Sequence, residues 1–466
     1  MTGVDDVAVL IVGGGPVGLT ARALLARWGV RTLVVERYRE LSPFPRSRLV
    51  NVRTMEIFRQ LGLDTDIARL AFAPEYGRIR FRDTMTSPDF ASAGMVGVNA
   101  PIPQSPVMGV VTSQDRLEPT LLSAADGPVR FGAELIDLVE VEEDESVVAT
   151  LLEDGEEIRV HATYVLAADG ANSTVRQKLG IGTEGPGVIG HATTVVFDAD
   201  ISSDPAGVYV TANGTFAPIY PEGGWAWIVP TAEDADWPAR LRDVLGMNVR
   251  VDRVQHWAVN AFIAETLRHG RILLAGDAAH AIPPAGGLGM NVGIGDVHNL
   301  CWKLAGVLRG WAGPGLLDSY ETERHPVAHR MLRQAVANSK LMNEAQVLRR
   351  QQLETGDTAH VELPWSEEYF AQLGLVLGVA YPPGTTETST DYVPTAEPGH
   401  RMPHFWLKDG RSTLDALGEW FTLLTPDRAR WAHYDTPWPL RIETVPSDHP
   451  TLLVRPDGHI SMRWGS

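Results

Sequence analysis

Three glycines and one acidic residue near the start of the chain have the types and the spacing needed to hold a dinucleotide. The spacing is Gly13-x-Gly15-x-x-Gly18, between a strand-like apolar run and an amphipathic helical pattern. Gly13 permits a tight turn, Gly15 lets the backbone approach a pyrophosphate, and Gly18 lets the helix pack closely on the strand. Glu36 ends the next predicted strand, where a carboxylate can accept hydrogen bonds from ribose hydroxyls. The pattern predicts dinucleotide binding over a purely structural turn, but it does not separate FAD from NAD.

Two turns that contain aspartate follow later β-rich runs. Asp169 begins an Asp-Gly pair at a predicted strand-to-helix turn, with the helix starting near Ser173. Asp277 ends a Gly-Asp pair after another apolar strand, and a Pro/Gly loop then leads to a helix predicted to start near Asn291. Taken singly, a turn aspartate and a helix-capping carboxylate explain these residues better. Together with the glycine pattern, their order favours a cofactor site.

These three motifs, in this order and separation, resemble those of the FAD-dependent aromatic hydroxylases with the para-hydroxybenzoate hydroxylase fold, in the branch that acts on aromatic polyketides. The segment PRSRLVNVRTMEIFRQLGL, from Pro45 to Leu63, also matches the family's segment beside the flavin. The resemblance implies FAD as cofactor, NADPH or NADH as co-substrate, and O2. The implied reaction is hydroxylation of an aromatic, polycyclic polyketide substrate through a flavin C4a-hydroperoxide.

The resemblance also assigns cofactor contacts to particular residues. They are Gly13, Gly15, Gly18, Glu36, Arg37, Arg46, Gln114, Arg116, Asp169, Asp277, Pro284, Gly287, Gly289, Met290 and Asn291. Asp277 would bind the ribityl chain, and Asp169 would lie near the pyrophosphate. The loop from Pro283 to Asn291 would offer backbone N–H donors to the flavin pyrimidine edge. No catalytic side chain is assigned because the flavin carries the chemistry; Arg46 is the one candidate, with a surface charge as its alternative.

Aromatic residues in the segment TFAPIYPEGGWAWIVP supply the substrate candidates. Tyr220 and Trp227 lie in this β-rich run, whose equivalent in the family forms the sheet that covers the substrate. Ordinary sheet packing explains them at least as well. His280 follows the Gly-Asp pair and is interpreted as a structural or cofactor-supporting residue, not as a catalytic base.

The predicted fold class is α/β, with a doubly wound Rossmann-like FAD-binding domain, a β-rich substrate domain and a C-terminal thioredoxin-like domain. The FAD-binding domain is predicted over residues 1–80, 100–180 and 265–350, and the substrate domain over 181–264 plus about 75–105. A Pro/Thr-rich passage, residues 381–404, reads as an extended linker, and the tail covers residues 390–466. Without cysteine the tail is predicted to be structural, and in this family it favours polycyclic substrates.

Composition argues against several other functions. The formal net charge of −18 over 466 residues would repel nucleic acid. No apolar run approaches the ~18 residues of a membrane span and no export signal is visible, so we expect a cytoplasmic protein without a membrane partner. Cys301, the single cysteine, is predicted to be a buried structural thiol. The histidines show no convincing metal-ligand spacing, so no metal is predicted; a homodimer is left open.

Other chemistries share this fold. Baeyer–Villiger oxidation, epoxidation and oxidative decarboxylation are alternatives to hydroxylation, because a fold does not choose among reactions. A non-catalytic protein that holds flavin and a ligand is a further alternative. A disulfide reductase with two dinucleotides is rejected, since it needs a second glycine motif and a redox cysteine pair.

Overall fold

The computed structural model describes residues 5–201, 204–232, 235–356, 372–381 and 391–464. The strands in these ranges are β1 Asp5–Val12, β2 Thr32–Glu36, β3 Leu49–Val50, β4 Arg78–Arg82, β5 Asp89–Gly94, β6 Val110–Val111, β7 Val129–Phe131, β8 Ala133–Val141, β9 Ser146–Glu153, β10 Glu156–Ala167, β11 Thr183–Asp198, β12 Val208–Thr211, β13 Gly214–Tyr220, β14 Gly223–Pro230, β15 Arg250–Ala264, β16 Arg268–His269, β17 Ile272–Leu274, β18 His280–Ala281, β19 Phe421–Thr425, β20 Leu440–Thr444, β21 Thr451–Val454 and β22 Ile460–Trp464. The α-helices are α1 Pro16–Arg27, α2 Val52–Gln60, α3 Asp64–Ala68, α4 Gln114–Ser123, α5 Thr174–Lys178, α6 Trp237–Leu245, α7 Gly289–Leu308, α8 Asp318–Thr355 and α9 Leu373–Val376.

A mixed sheet at the N-terminal end carries the doubly wound part of the fold. Its strand order is β16-β17-β10-β1-β2-β7, with β9 added to β10 and β8 to β9. The strands from β17 to β7 run parallel. Val9, Leu10 and Ile11 of the central strand are fully buried, as expected when helices cover both faces of a parallel sheet. The predicted strand, glycine turn, helix and second strand are confirmed.

A second large sheet has the order β18-β15-β11-β14-β13-β12-β4-β5. One face carries an aromatic core against α6, in which Trp227 stacks on Phe216 with ring centres 5.7 Å apart and meets Trp237 edge-on. Trp227 is 1% exposed, and its indole Nε1 donates to the Asn213 carbonyl at 2.8 Å. Trp227 therefore lies in the sheet core, in agreement with ordinary sheet packing, the alternative to its predicted contact with the substrate.

Helices α5 and α7 lie where the sequence patterns predicted them. Ser173 caps α5 by accepting a hydrogen bond from the Arg176 N–H at 3.0 Å. Helix α7 begins at Gly289, two residues before the predicted start, and buries Cys301 to 1% exposure. None of the described helices combines the length and apolarity needed to cross a membrane.

A four-stranded sheet of order β20-β19-β21-β22 forms the C-terminal unit. It docks on the N-terminal part through charged groups, led by Arg401, whose Nε donates to Glu56 Oε2 of α2 at 2.8 Å. Both side chains of this pair are 1% exposed. The Trp302 indole on α7 also donates to Asp457, at 3.2 Å. Of the predicted linker, residues 382–390 lie outside the described residues.

The three large sheets draw on separate stretches of chain. The first takes its strands from residues 5–36, 129–167 and 268–274, and the second from residues 78–94, 183–264 and 280–281. The second sheet thus includes a short strand, β18, from beyond the predicted limit at residue 264. The domain boundaries themselves stay a prediction.

The Arg401–Glu56 pair offers a test of how the C-terminal unit is held. Arg401→Met leaves the buried Glu56 carboxylate with Arg53 as its remaining ion-pair partner. We expect the free energy of unfolding to fall by about 3 kcal/mol, as for buried pairs that lose one partner. Urea unfolding followed by tryptophan fluorescence measures it. Arg463→Met, which breaks an exposed pair with Glu397, should cost less than about 1 kcal/mol; equal losses in the two variants would contradict the prediction.

Candidate functional site

The glycine turn between β1 and α1 is shaped for close approach of a ligand. Gly13 has a φ of +109°, and a Cβ there would collide with the Ala168 carbonyl oxygen. A Cβ at Gly18 would collide with the Gly13 carbonyl oxygen, so the helix packs tightly on the turn. At Gly15, in contrast, a Cβ would meet no heavy atom within 4 Å, and this N-cap residue gives α1 no side-chain cap. A bare helix N-terminus facing open space is an arrangement that binds phosphate.

Glu36, at the end of β2, lies over the same turn. Its Oε2 accepts a hydrogen bond from the Gly14 N–H at 2.8 Å, and its Oε1 accepts one from the Tyr38 N–H at 3.0 Å. Arg37 is exposed, with its guanidinium carbon 4.9 Å from the centre of the Tyr38 ring. The predicted ribose-binding carboxylate is therefore beside the glycine turn, whereas Arg37 lies at the surface.

Asp169 lies next to the residue that contacts Gly13. Its Oδ2 accepts a hydrogen bond from the Val175 N–H at 3.1 Å. Its Oδ1 is buried and has no hydrogen-bond partner among the described residues. Burial raises the pKa of this carboxyl above its ordinary value, although hydrogen bonds from Ser173 and from backbone N–H groups oppose the shift. A buried polar atom without a partner is uncommon, and here it offers an acceptor to a bound group.

Asp277 lies in a 3₁₀ turn, Gly276–Ala278, that precedes the loop into α7. It is deeply enclosed by protein, yet its side chain remains accessible, which is the situation of a group that lines a cleft. Burial raises the pKa of its carboxyl, while the nearby charges of His280 and Arg46 oppose the rise. Across the loop, a Cβ at Gly289 would lie 3.8 Å from Asp277 Oδ1. The bare N-terminus of α7 and this carboxylate therefore face the same space.

Asn291 fixes the inner half of the loop. Its Nδ2 donates to the Gly287 carbonyl at 2.7 Å and to the Leu49 carbonyl at 2.8 Å, and its Oδ1 accepts from the Asn51 N–H at 2.9 Å. Met290 packs beside it in an apolar cluster. Asn291 was predicted to contact the cofactor as part of this loop, and its side-chain amide bonds backbone groups that support the loop.

Asn338 of α8 fixes the outer half of the loop, next to the exposed Pro284. It is fully buried, and its Nδ2 donates to the Ala285 carbonyl at 3.2 Å. Its Oδ1 accepts from Gln334 at 2.9 Å and from Gln372 at 3.1 Å. Gln372 has a φ of +49°, a left-handed conformation that is uncommon outside glycine. The sequence analysis missed this amide cluster, because two polar residues one turn apart usually indicate a solvated helix face.

Gln114, at the start of α4, belongs to the opposite wall of the cleft. Its Oε1 accepts from the Ser47 N–H at 3.3 Å, and its Nε2 donates to Glu118 at 2.8 Å. Glu118, which the sequence analysis missed, is 2% exposed, and burial raises the pKa of its carboxyl. The exposed Arg46 acts electrostatically on both Glu118 and Asp277. Arg46 is therefore close enough to influence both carboxyls, and its contact with the cofactor stays a prediction.

Tyr220 joins the β13–β14 hairpin to α4. Its hydroxyl donates to Asp115 Oδ2 at 2.5 Å, and the Arg116 guanidinium carbon lies 4.2 Å from its ring centre. Arg116 also forms an ion pair with Glu222 of the hairpin turn. Burial and the hydrogen bond to Asp115 raise the pKa of Tyr220 to about 12, so its phenol stays protonated at neutral pH. Tyr220 and Arg116 thus meet in one contact, and Trp227 lies in the sheet core.

Asp296 of α7 links the Gly-Asp turn to α8. Its Oδ2 accepts from the Gly276 N–H at 3.1 Å and lies 2.6 Å from His280 Nε2, and its Oδ1 accepts from Arg324 Nε at 2.8 Å. Burial works to raise the pKa of this carboxyl, but the charges of His280 and Arg324 outweigh it and keep the pKa below its ordinary value. The interpretation of His280 as a structural residue agrees with these contacts.

The residues present fit FAD. Two helix N-termini, of α1 and α7, have no side-chain cap. Near them lie open space at Gly15, the Asp169 oxygen without a partner among the described residues, and the accessible carboxylate of Asp277. Phosphates and electron-rich rings are stabilised at such helix ends.

Comparison with known proteins gives the same result. The family described as "FAD binding domain" matches residues 6–335, and the one described as "Aromatic-ring hydroxylase, C-terminal" matches residues 395–465. Tetracenomycin A2 monooxygenase-dioxygenase of Streptomyces glaucescens is 31% identical over 98% of this chain and 93% of its own length. The flavin-dependent monooxygenase PieE, solved with FAD and substrate, is 31% identical with a TM-score of 0.87 over 99% of this chain and 96% of that chain. Aklavinone-11 hydroxylase, solved with FAD and aklavinone, is 31% identical with a TM-score of 0.82 over 100% of this chain and 96% of that chain.

The fold and the site together define a flavoprotein monooxygenase. The chain belongs to the family of FAD-dependent aromatic hydroxylases. The family, the fold class and the enzyme class predicted from the sequence are confirmed, and the non-catalytic alternative is set aside.

The variant Gly15→Ala is expected to weaken FAD binding without changing the stability of the apoprotein. Gly15 has an ordinary φ of −79° and its Cβ position is open, so the apoprotein should melt at an unchanged temperature. The added methyl group would occupy the space that the pyrophosphate needs, and we expect the FAD dissociation constant to rise at least about tenfold. Titration of apoprotein with FAD, followed by flavin fluorescence, measures this. Gly313→Ala, also in open space, is the control, and wild-type affinity in Gly15→Ala would contradict the prediction.

Asn338→Leu tests whether the outer half of the loop is held from α8. Loss of the hydrogen bond to the Ala285 carbonyl is expected to raise the FAD release rate by about threefold to tenfold, in line with one buried hydrogen bond. Ser339→Ala is the matched control, because that hydroxyl donates to the Ala335 carbonyl within its own helix, at 3.0 Å. Release is followed by flavin fluorescence after dilution, with circular dichroism to check folding. Equal rates in the two variants would show that Asn338 does not support the loop.

Proposed function

We propose that this enzyme hydroxylates a polycyclic aromatic compound of the polyketide type, with NADPH or NADH as electron donor and O2 as oxidant. The observation that carries the proposal is the likeness, over nearly the whole chain, to tetracenomycin A2 monooxygenase-dioxygenase and to an aklavinone-11 hydroxylase solved with aklavinone. Likeness of this extent includes the second sheet, which we call the substrate-side sheet in this proposal, and the C-terminal unit as well as the flavin site. It therefore supports a substrate of the same chemical class.

The second sheet supports a planar apolar ligand. Side chains alternate between the two faces of a strand, so Ala226 lies on the face opposite Trp227. Ala226 is paired with Ala217 of β13, and these residues are 2% and 3% exposed. The aromatic core and α6 already occupy the face that carries Trp227. We therefore assign the aromatic ligand to the opposite face.

The proposed roles at the cofactor follow from the contacts of the site. When bound, FAD supplies the electron transfer and the activation of O2. In this assignment the α1 N-terminus at Gly15 binds the pyrophosphate and Glu36 accepts hydrogen bonds from the ribose. Asp277 holds the ribityl chain, and Asp169 accepts a hydrogen bond near the pyrophosphate. The glycine loop before α7 presents N–H donors to the flavin ring, while Asn291 and Asn338 keep its carbonyl groups turned into the protein.

Tyr220 has a positioning role in this scheme. Its protonated phenol holds the hairpin to α4 at the wall that also carries Arg46 and Gln114. Because its pKa is raised to about 12, this contact persists across the neutral and moderately alkaline range. In this proposal the Tyr220–Asp115 contact fixes the position of the substrate-side sheet relative to the cofactor cleft. The closed wall then limits the access of water. With one dinucleotide motif in the sequence, the nicotinamide is assigned a transient site at the surface of the FAD-binding unit.

Hydroxylation is the favoured oxygen transfer, with Baeyer–Villiger oxidation, epoxidation and oxidative decarboxylation as the alternatives on this fold. A homodimer and a cytoplasmic location stay predictions from the sequence.

The test is a reaction of the purified holoenzyme with NADPH and ¹⁸O2, with aklavinone as the polycyclic probe. We expect the flavin absorbance to bleach faster in the presence of the probe than without it. Mass spectrometry should then show a product that carries one added ¹⁸O atom, and nuclear magnetic resonance should place it as a ring hydroxyl group.

Different outcomes separate the candidate functions. A ring-expanded lactone from Baeyer–Villiger oxidation, or an epoxide, would keep the monooxygenase class but replace hydroxylation. Loss of carbon dioxide from a carboxylated probe would indicate oxidative decarboxylation. Oxygenation of a single-ring phenol, without any turnover of polycyclic probes, would overturn the proposed substrate class.

A further inference from the structure

Two histidines and one glutamate form a cluster outside the flavin site, between α8 and the second sheet. His329 Nε2 lies 2.8 Å from Glu184 Oε1, and His325 Nε2 lies 3.7 Å from the same oxygen. The two imidazole rings are 4.7 Å apart at an angle of 73°. One potential ligand atom from each residue lies within 4.8 Å of the other two. These residues have no assigned role in the flavin site.

The local structure explains why these side chains converge. His325 and His329 are four residues apart on α8, so they lie one above the other on one face of the helix. Glu184 lies near the start of β11, where the pairing with β15 shifts register between Glu184 and Gly187. Gly185, at a φ of +117°, allows this irregularity. Such bulges change the direction of neighbouring side chains, and here the glutamate meets the helix.

We infer that Glu184, His325 and His329 form a binding site for a divalent transition-metal ion, with Zn²⁺ as the best match. Two imidazoles one helical turn apart and a carboxylate are a recognised zinc ligand set, which leaves further positions for water. Zn–N and Zn–O bonds of about 2.0–2.2 Å in tetrahedral geometry separate the ligand atoms by roughly 3.3 Å. The distances of 2.8 and 3.7 Å lie on either side of that separation, so small side-chain rotations suffice.

Accessibility and charge support entry of an ion. The side chains of His325, His329 and Glu184 are 22%, 34% and 49% exposed. With neutral imidazoles the cluster carries the single negative charge of Glu184, which favours a dication. Two contacts oppose binding: His325 Nε2 lies 3.0 Å from the Ala264 carbonyl, and the charge of Arg333 acts on His329. Because the site is accessible and two contacts compete with the ion, we expect the ion to bind with moderate affinity and to exchange with solution.

An ion at this position would tie α8 to β11. The same helix holds the flavin loop through Asn338, and β11 belongs to the substrate-side sheet. The ion would therefore join helix α8 to the second sheet and would stabilise their arrangement without taking part in the reaction. This inference does not depend on the proposed substrate.

The experiment uses holoenzyme treated with a chelator and then titrated with ZnCl2 in a calorimeter. We expect one equivalent to bind with a dissociation constant of about 10 µM or tighter, and the melting temperature to rise with Zn²⁺. Glu184→Gln and His329→Ala should each weaken binding at least about tenfold and abolish the rise in melting temperature. His433→Ala removes an exposed histidine elsewhere and is the matched control.

A conservative variant and spectroscopic checks guard against a folding artefact. Glu184→Gln keeps the size of the side chain, and flavin absorbance with circular dichroism reports whether each variant is folded. Titration with Co²⁺ adds a spectroscopic signature, because imidazole and carboxylate ligands give visible absorption bands that should be lost in His329→Ala. Absence of stoichiometric binding in the wild type, or equal binding in wild type, Glu184→Gln and His329→Ala, would overturn the inference.

Discussion

The buried carboxylate of Asp296 connects the elements on which the cofactor site depends. It bonds the Gly276 N–H, His280 and Arg324, and so joins the Gly-Asp turn, helix α7 and helix α8 at one point. Arg324 extends the network to the Tyr381 hydroxyl at 2.8 Å. A charge in such a setting is costly unless every oxygen has a partner, and here the partners are themselves parts of the site. The position of Asp277 in the cleft therefore depends on a residue that does not itself touch the cleft.

Helix α8 connects this network to the loop before α7 and to the second sheet. Its 38 residues span about 57 Å. Near its start Arg324 bonds Asp296, in its middle Asn338 holds the flavin loop, and near its end Arg349 pairs with Asp83, with Nε 3.0 Å from Oδ1. Asp83 follows β4 of the second sheet. A single helix thus contacts Asp296, the loop before α7 and the end of β4 in the second sheet, which makes their relative positions interdependent.

The C-terminal unit adds a second level of support. Arg455 pairs with Glu323 on α8, and Asp457 accepts from Asn299 and Trp302 on α7. The same unit meets α2 through the buried Arg401–Glu56 pair. These groups are charged and largely buried, so their geometry is specific even where their net contribution to stability is modest. The C-terminal unit thus contacts helices α2, α7 and α8.

The sequence by itself determined the features that are local. Glycine spacing, strand-to-helix turns and apolar runs act over a few residues, so the glycine turn, the helix start near Ser173 and the buried Cys301 could be predicted. The family followed from the order of these motifs. Only the tertiary structure decided which side chains meet across long stretches of chain: Tyr220 with Asp115, Gln372 with Asn338, and Glu184 with His329. Trp227 shows the same limit, because alternation along a strand gives two faces, and only the packing of α6 decides which of them is the core.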